Sequence, residues 1–344
     1  MIVRSVLRRA RPILAASVLA IVILRLGGGP FLDGLRALDG RALVAAAAIF
    51  FVTTFCCAWR WKIVARGLGV RLSLSDAVPA YYRCLFLNLT LPGGVAGDVH
   101  RGVSHGRDVQ DLGHALRAVV WERTAGQVVQ VLLAISVLFI LPSPVRSSMP
   151  FVAVALLGTS VVVVLVVRMK KGRGHSLWER GRNAAVADIR GGLLHKRALP
   201  VVMLVSTVAV LGHVLTFLIA ARAVGVTAPV ARLLPLAFVS MMAMVLPNIG
   251  GWGPREGVTA WAFSAAGLGA GRGAAVAVAY GVMVLAASLP GGLVLLVEWL
   301  PRRRGSRPRV RKRMILQPED QPMGERSDTF LRVWPRRRPY VGGT

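Results

Sequence analysis

The sequence predicts an all-α polytopic membrane protein with about six full transmembrane helices and two inverted re-entrant hairpins. The first observation is composition, because 55% of the 344 residues are hydrophobic and only 17% are charged, against about 25% charged residues in typical soluble domains. The second is that the charges, which sum to +28, are grouped at the N-terminus, in residues 168–197 and beyond residue 301, with long apolar runs between them. The third is that two shorter apolar runs end in the same way, in Leu-Pro followed by glycines. Together these features exclude a soluble domain.

The apolar runs define the spans one by one. A helix needs about 20 mainly apolar residues to cross a bilayer, and the candidates for full spans are 12–26, 42–58, 118–141, 150–167, 199–221 and 274–300. The first follows a basic N-terminus that resembles a signal peptide, but the spans behind it favour a retained signal anchor. The runs 77–92 and 233–247 are short, and each precedes a glycine-rich polar stretch.

The positive charges predict the path of the two short runs. If residues 77–92 crossed fully from a cytoplasmic N-terminus, the loop 168–198, with nine lysines and arginines, would lie outside. Cytoplasmic loops carry the excess of Lys and Arg in membrane proteins. If both short runs dip in and return, this loop and the tail after residue 301 become cytoplasmic. We therefore expect re-entrant hairpins and cytoplasmic N- and C-termini. Reporter fusions at Ser148 and Gly174 that report the same side would contradict this topology.

The two short runs carry matching motifs. Each passes from an apolar helix to a proline, then to glycines, then to charged residues; the prolines and glycines are Pro92, Gly93, Gly94 and Gly97 in the first motif and Pro247, Gly250, Gly251 and Gly253 in the second. With three full spans between them, the second enters from the opposite face, so the repeat is inverted. Broken helices at matching positions of inverted halves indicate a transporter's binding site near the bilayer midplane. The alternative is that both stretches are ordinary interfacial loops, where glycine and proline are common.

Ionisable residues beside the apolar runs are the candidates for substrate binding. They are Asp98, Arg101, Glu122, Arg123, Arg255 and Glu256. Such groups are costly in lipid, so they pair with each other or face a cavity. The planar fork of an arginine suits a phosphate, so we expect the arginines to bind a phosphate-bearing head group. Asp98 and Glu256 would orient them or bind a cationic head group, and an interfacial ion pair of structural use remains the alternative for Glu122 and Arg123.

Other chemistries find no support in the sequence. The basic blocks flank apolar spans and contain few aromatic residues for base stacking, so no nucleic acid partner is expected. Cys56, Cys57 and Cys84 lack the spacing of a metal site, and no Walker A sequence or Ser/His/Asp set occurs, so no metal, cofactor or catalytic residue is predicted. Trp59, Trp61 and Trp299 fit an interfacial aromatic belt.

The motifs together resemble one family. Asn88-x-x-x-Pro92-Gly93-Gly94-x-x-Gly97-Asp98-x-x-Arg101, then Glu122-Arg123, then Leu246-Pro247-x-x-Gly250-Gly251-x-Gly253-x-Arg255-Glu256 resemble the lysylphosphatidylglycerol synthase transmembrane-region family, also called flippase-like domain proteins. The likeness covers roughly residues 10–300. It implies a plasma-membrane protein of bacteria or archaea and adds Asn88 to the substrate-binding set. In the best-known members this domain is thought to move an aminoacylated phospholipid between leaflets, and a large soluble aminoacyl-transfer domain follows it.

The sequence divides into two regions. Residues 1–300 form the flippase-like transmembrane domain, and residues 301–344 form a basic tail, which we expect to be disordered and to lie against anionic head groups. This tail is too short for an aminoacyl-transfer domain, so lipid aminoacylation is not expected. The leading hypothesis is a translocator of a phospholipid or lipid-linked molecule. The alternatives are a membrane-embedded enzyme acting on a lipid-linked substrate, with Asp98 or Glu256 as general base, and an accessory subunit of an enzyme encoded elsewhere.

Overall fold

The computed structural model describes residues 29–142 except Pro92, residues 198–244 and 252–299, and the single residues Asn183, Val186 and Asp188. Helices make up nearly all of these stretches: α1 (Gly29–Arg36), α2 (Gly40–Gly67), α3 (Leu74–Thr90), α4 (Ala96–Asp108), α5 (Leu112–Ile140), α6 (Ala198–Ala223), α7 (Val230–Ala243), α8 (Pro254–Ala265) and α9 (Ala270–Trp299). The predicted spans 12–26 and 150–167, the tail 301–344, and Pro92, Pro247, Gly250 and Gly251 lie outside the described residues.

Four helices are long and apolar enough to cross a membrane. They are α2, α5, α6 and α9, and they confirm a helical membrane protein with spans near 42–58, 118–141, 199–221 and 274–300. The helix α2 has 28 residues, which gives a length of about 42 Å. It continues past the apolar run because nothing in Trp59–Gly67 breaks a helix, and it ends before Gly69, whose φ of 79° is left-handed.

Local capping explains where the helices α2 and α5 begin. Asp39 accepts a hydrogen bond from the backbone N–H of Ala42 (2.8 Å) ahead of α2. Asp111 does the same for His114 (3.0 Å) ahead of α5, and this backbone hydrogen bond is the main reason why the pKa of Asp111 is lowered. Carboxylates at these positions satisfy donors that the first helical turn leaves free.

The first short run forms a hairpin of two helices, α3 and α4, which pack against each other. The chain reverses at Gly93 and Gly94, with φ values of 99° and 64° that L side chains rarely adopt. Directly after this turn, α4 packs closely on α3, since a Cβ atom on Gly97 would lie 2.0 Å from the backbone oxygen of Cys84. The helix α4 therefore runs back along α3, and the helix is interrupted where the sequence predicts.

The second short run also forms a pair of packed helices, α7 and α8. Pro254 is the first residue of α8, and the carboxylate of Glu256 accepts a hydrogen bond from the backbone N–H of Gly253 (2.6 Å). This contact is the glutamate half of a capping box. Gly253 has a φ of 111°, which explains why glycine stands there.

The long helix α9 holds the two pairs together. It packs against α3 and α8, and also against α1, α2 and α6. Contact with α3 is close because a Cβ atom on Gly291 would lie 2.1 Å from the backbone oxygen of Tyr82. An apolar core, which includes Phe217, Phe263 and Tyr280, joins α6, α8 and α9.

Candidate functional site

Glu122 lies at the centre of a buried network of ionised side chains. It is fully buried on α5 and accepts hydrogen bonds from three helices. Arg60 of α2 donates through Nε (2.9 Å) and Nη2 (2.5 Å), Arg101 of α4 donates through Nη2 (2.6 Å), and the hydroxyl of Tyr81 on α3 donates at 3.2 Å. One carboxylate thus ties α5 to α2, α3 and α4.

Asp98 is the second carboxylate of this network. Arg101 donates to it through Nε (3.1 Å) and Nη2 (2.8 Å), and Arg123 donates through Nε (2.9 Å), with its Nη2 2.8 Å from the other carboxylate oxygen. Asn88 donates through Nδ2 (3.0 Å) and accepts from the backbone N–H of Gly97 at 2.8 Å. Asn88 therefore fixes both the start of α4 and the carboxylate that α4 carries.

Aromatic rings cover the guanidinium of Arg101. Its Cζ atom lies 4.7 Å from the ring centre of Trp61 and 4.5 Å from that of Tyr81, within the range of a cation–π contact. Trp61 is only 1% exposed, so its assignment to the interfacial belt is wrong: the ring packs on an arginine inside the protein. Trp59, which is 42% exposed, keeps a position compatible with the belt.

The network carries one more positive than negative charge. We call Arg60, Asp98, Arg101, Glu122 and Arg123 the first charge cluster; among the described residues it pairs three guanidinium groups with two carboxylates. Buried charges are strongly disfavoured unless they are paired. The unmatched positive charge makes this cluster suited to an anion.

A polar cavity of about 110 Å³ adjoins the first charge cluster. It lies between α2, α3, α5 and α6, and its polar lining includes Arg60, Arg123, Thr53, Gln127, Gln130 and His213. The side chain of Arg123 is 41% exposed, whereas that of Arg101 is fully buried. A small group that entered the cavity would therefore meet the guanidinium groups of Arg123 and Arg60.

The second charge cluster consists of Arg255 and Glu256 on α8. Arg255 donates to one carboxylate oxygen of Glu256 through Nε (3.0 Å) and Nη2 (2.5 Å), and both residues are buried. Its Cζ atom lies 5.4 Å from the ring centre of Trp252 and 5.2 Å from that of Tyr280. Gly281 makes room, because a Cβ atom there would lie 2.4 Å from Nη2 of Arg255.

One hydrogen bond connects the cavity with the second charge cluster. Nδ1 of His213, which lines the cavity, lies 3.0 Å from the hydroxyl of Tyr280, whose ring covers Arg255. The pair His213 and Tyr280 therefore connects the cavity beside the first charge cluster with the second charge cluster. Within the described stretches, no three His, Cys, Asp or Glu side chains come together as a metal site.

The predicted site residues form two groups. Asn88, Asp98, Arg101, Glu122 and Arg123 come together, whereas Arg255 and Glu256 form their own cluster. Sequence reasoning missed Arg60, Tyr81, His213 and Tyr280. The one signal for Arg60 was a basic residue between two tryptophans, and the signal for His213 was a histidine within an apolar run.

Fold and site together define a helical, polytopic membrane protein in which buried arginine–carboxylate clusters lie beside interrupted helices. The chain belongs to the family described as the lysylphosphatidylglycerol synthase TM region, whose family model matches residues 10–292. Membership indicates an integral membrane protein with a lipid-related function. No curated protein and no solved structure matches the chain.

Proposed function

We propose that this protein translocates a phospholipid or lipid-linked molecule between leaflets and holds its phosphate in the cavity beside the first charge cluster. The observation that carries the proposal is the unmatched guanidinium charge next to a polar cavity among membrane-spanning helices. A phosphodiester would balance that charge, and its acyl chains could remain in lipid. The family's link to lipids agrees with such a substrate.

The arginines would then have different roles. Arg123 is the candidate for direct phosphate contact, because it lines the cavity and its side chain is 41% exposed, and Arg60 would be the second donor. Arg101 and Arg255, each buried between two aromatic rings, would hold the clusters together. From the sequence, Arg101, Arg123 and Arg255 were all expected to bind phosphate. Of these three, Arg123 alone keeps that role in the proposed site.

The two short helix pairs would be re-entrant hairpins of an inverted repeat. The close approach of Gly97 to Cys84 supports a return of α4 toward the face from which α3 enters. In both pairs the carboxylate that accepts from the arginine is the third residue of the second helix, Asp98 in α4 and Glu256 in α8. Such matching breaks indicate a binding site near the midplane. The plasma membrane is the expected location, with both termini cytoplasmic.

Reconstituted protein tests the proposal. Purified protein would be placed in liposomes that contain a phosphatidylglycerol labelled on one acyl chain, and dithionite bleaching would report transfer between leaflets. Arg123→Gln should slow transfer about tenfold or more, since one charged hydrogen bond is worth roughly 1.5–3 kcal/mol. Arg232→Gln is the matched control, because Arg232 is exposed and, among the residues that the structure describes, donates to the backbone oxygen of Ala266 and to no carboxylate.

Two results would reject translocation at this site. One is equal transfer by the Arg123→Gln protein and the unmodified protein, and the other is transfer no faster than in protein-free liposomes. A soluble protein that co-purifies in stoichiometric amount, without any lipid transfer, would favour an accessory subunit instead.

A further inference from the structure

We propose that the cavity selects a net-anionic head group and rejects head groups that carry an amine. The inference rests on the proposed function in one respect only, that a lipid phosphate is the bound group. It assigns selectivity to Gln127, Gln130 and His213, none of which the family motifs contain.

The charge on the cavity wall is positive on two sides. Arg60 of α2 and Arg123 of α5 line the cavity, whereas its described lining includes no aspartate or glutamate. Glu122 and Asp98 lie behind these arginines and are already held by them. His213 faces the cavity from α6 and brings a hydrogen-bonding imidazole in place of a carboxylate. An ammonium group would meet two guanidinium groups and no free carboxylate.

The remaining polar groups suit hydroxyl and ester oxygens. Gln127 and Gln130 are three residues apart on α5, so they lie on one helix face, and Thr53 of α2 joins them in the lining. Amide and hydroxyl groups both donate and accept hydrogen bonds. They can therefore bind the uncharged part of a head group, such as a glycerol, without compensating a positive charge.

Aromatic rings do not offer a place for an ammonium ion either. Phe50 and Tyr81 are the aromatic rings in the described lining. The ring of Tyr81 already carries the guanidinium of Arg101 at 4.5 Å, and Phe50 packs against Tyr82 with ring centres 6.0 Å apart. Recognition of quaternary ammonium relies on a cage of aromatic faces, and these two rings do not form one.

The cavity is small for a ligand site. Its volume is about 110 Å³, whereas ligand pockets commonly reach about 300–1,000 Å³, so it suits the phosphate end of a head group. An aminoacylated head group conflicts with the charge of its wall.

Binding of short-chain lipids to detergent-purified protein tests the inference without any transport measurement. Isothermal titration would use dihexanoyl phosphatidylglycerol, dihexanoyl phosphatidylethanolamine and inorganic phosphate as separate ligands. We expect the anionic lipid to bind at least about tenfold more tightly than the zwitterionic one. The zwitterionic lipid brings an ammonium group that the guanidinium groups repel, and a tenfold difference in affinity needs only about 1.4 kcal/mol of such repulsion. Inorganic phosphate should bind more weakly than the anionic lipid, since it lacks the glycerol and acyl groups.

The charge-adding variant Gln130→Glu makes the test specific. It introduces a carboxylate into the cavity wall without removing a member of either charge cluster, and it should abolish the preference for the anionic lipid. Gln110→Glu is the control, because Gln110 is exposed in the turn between α4 and α5 and should leave the preference unchanged.

Four results would overturn the inference. Equal affinity for the two lipids in the unmodified protein, no binding of either lipid, or an unchanged preference in Gln130→Glu would refute selection by cavity charge. Phosphate bound as tightly as the anionic lipid would identify free phosphate, instead of a lipid, as the ligand. If binding selects as expected while labelled lipid does not move in liposomes, the proposed translocation fails and the selectivity stands.

Discussion

Replacing Glu122 by glutamine should destabilise the protein strongly while leaving its shape almost unchanged. The carboxylate accepts hydrogen bonds from Arg60, Arg101 and Tyr81 and is fully buried. Glutamine keeps one acceptor but turns an NH₂ group toward a guanidinium, and the cluster would carry two unmatched positive charges instead of one. Removing one partner from a buried ion pair destabilises proteins by about 3–5 kcal/mol, so the free energy of unfolding should fall by roughly that amount.

Thermal unfolding in detergent, followed by tryptophan fluorescence, measures this loss. A change of this size should lower the apparent melting temperature by roughly 4–7 °C, because an unfolding entropy of about 2.1 cal/mol/K per residue over 344 residues gives about 1.4 °C for each kcal/mol. The control is Glu298→Gln, which breaks a pair with Arg83 in which the glutamate side chain is 40% exposed, and exposed pairs contribute less than about 1 kcal/mol. Equal melting temperatures for the two variants would refute a buried, tightly coupled network around Glu122.

Two further predictions concern the hairpin of α3 and α4. Gly97→Ala should destabilise the protein by about 3 kcal/mol or more, because its Cβ atom would lie 2.0 Å from a backbone oxygen; Gly113→Ala, where the nearest atom is 3.7 Å away, should be neutral in the same melting assay. In a variant that lacks the three native cysteines, Ser75→Cys and Gln110→Cys should react with an impermeant maleimide from the same face and Thr227→Cys from the opposite face. Labelling of Ser75→Cys and Gln110→Cys from opposite faces would show that the hairpin crosses the membrane.

The sequence was sufficient to predict the helical membrane fold and the interruption after residue 90. Apolar length is a direct consequence of bilayer thickness, which is why the four described spans include nearly all of the expected residues, although α2 continues to Gly67 and α5 already begins at Leu112. A turn with positive φ favours glycine for local reasons, so a break of the helix at Gly93 and Gly94 could be predicted without tertiary structure. Pairing among the ionisable residues was also expected, because such groups are costly in lipid, and the structure brings Asp98 and Arg101 together with Glu122 and Arg123.

The residues that the sequence did not reveal are those set by packing between distant helices. Arg60 follows an apolar run, where arginines usually face the cytoplasmic head groups; only the extension of α2 to Gly67 and its contact with α5 bring this side chain to Glu122. His213 stands alone in an apolar run, and its partner Tyr280 is in another helix. Neither position carries a local pattern that distinguishes a buried polar contact from a residue facing lipid.

The two charge clusters share one construction but differ in charge, and this difference bears on where a substrate binds. In each, a carboxylate at the third position of a helix that follows a glycine-containing break pairs with an arginine between two aromatic rings. Arg255 and Glu256 balance each other, whereas the first charge cluster contains the additional arginines Arg60 and Arg123 and one further carboxylate. A balanced buried pair needs no ligand to neutralise it, but an unbalanced one does. The unmatched charge therefore favours the cavity beside the first charge cluster as the anion site, where Arg60 of α2 and Arg123 of α5 lie, and His213 and Tyr280 connect this cavity with the second charge cluster.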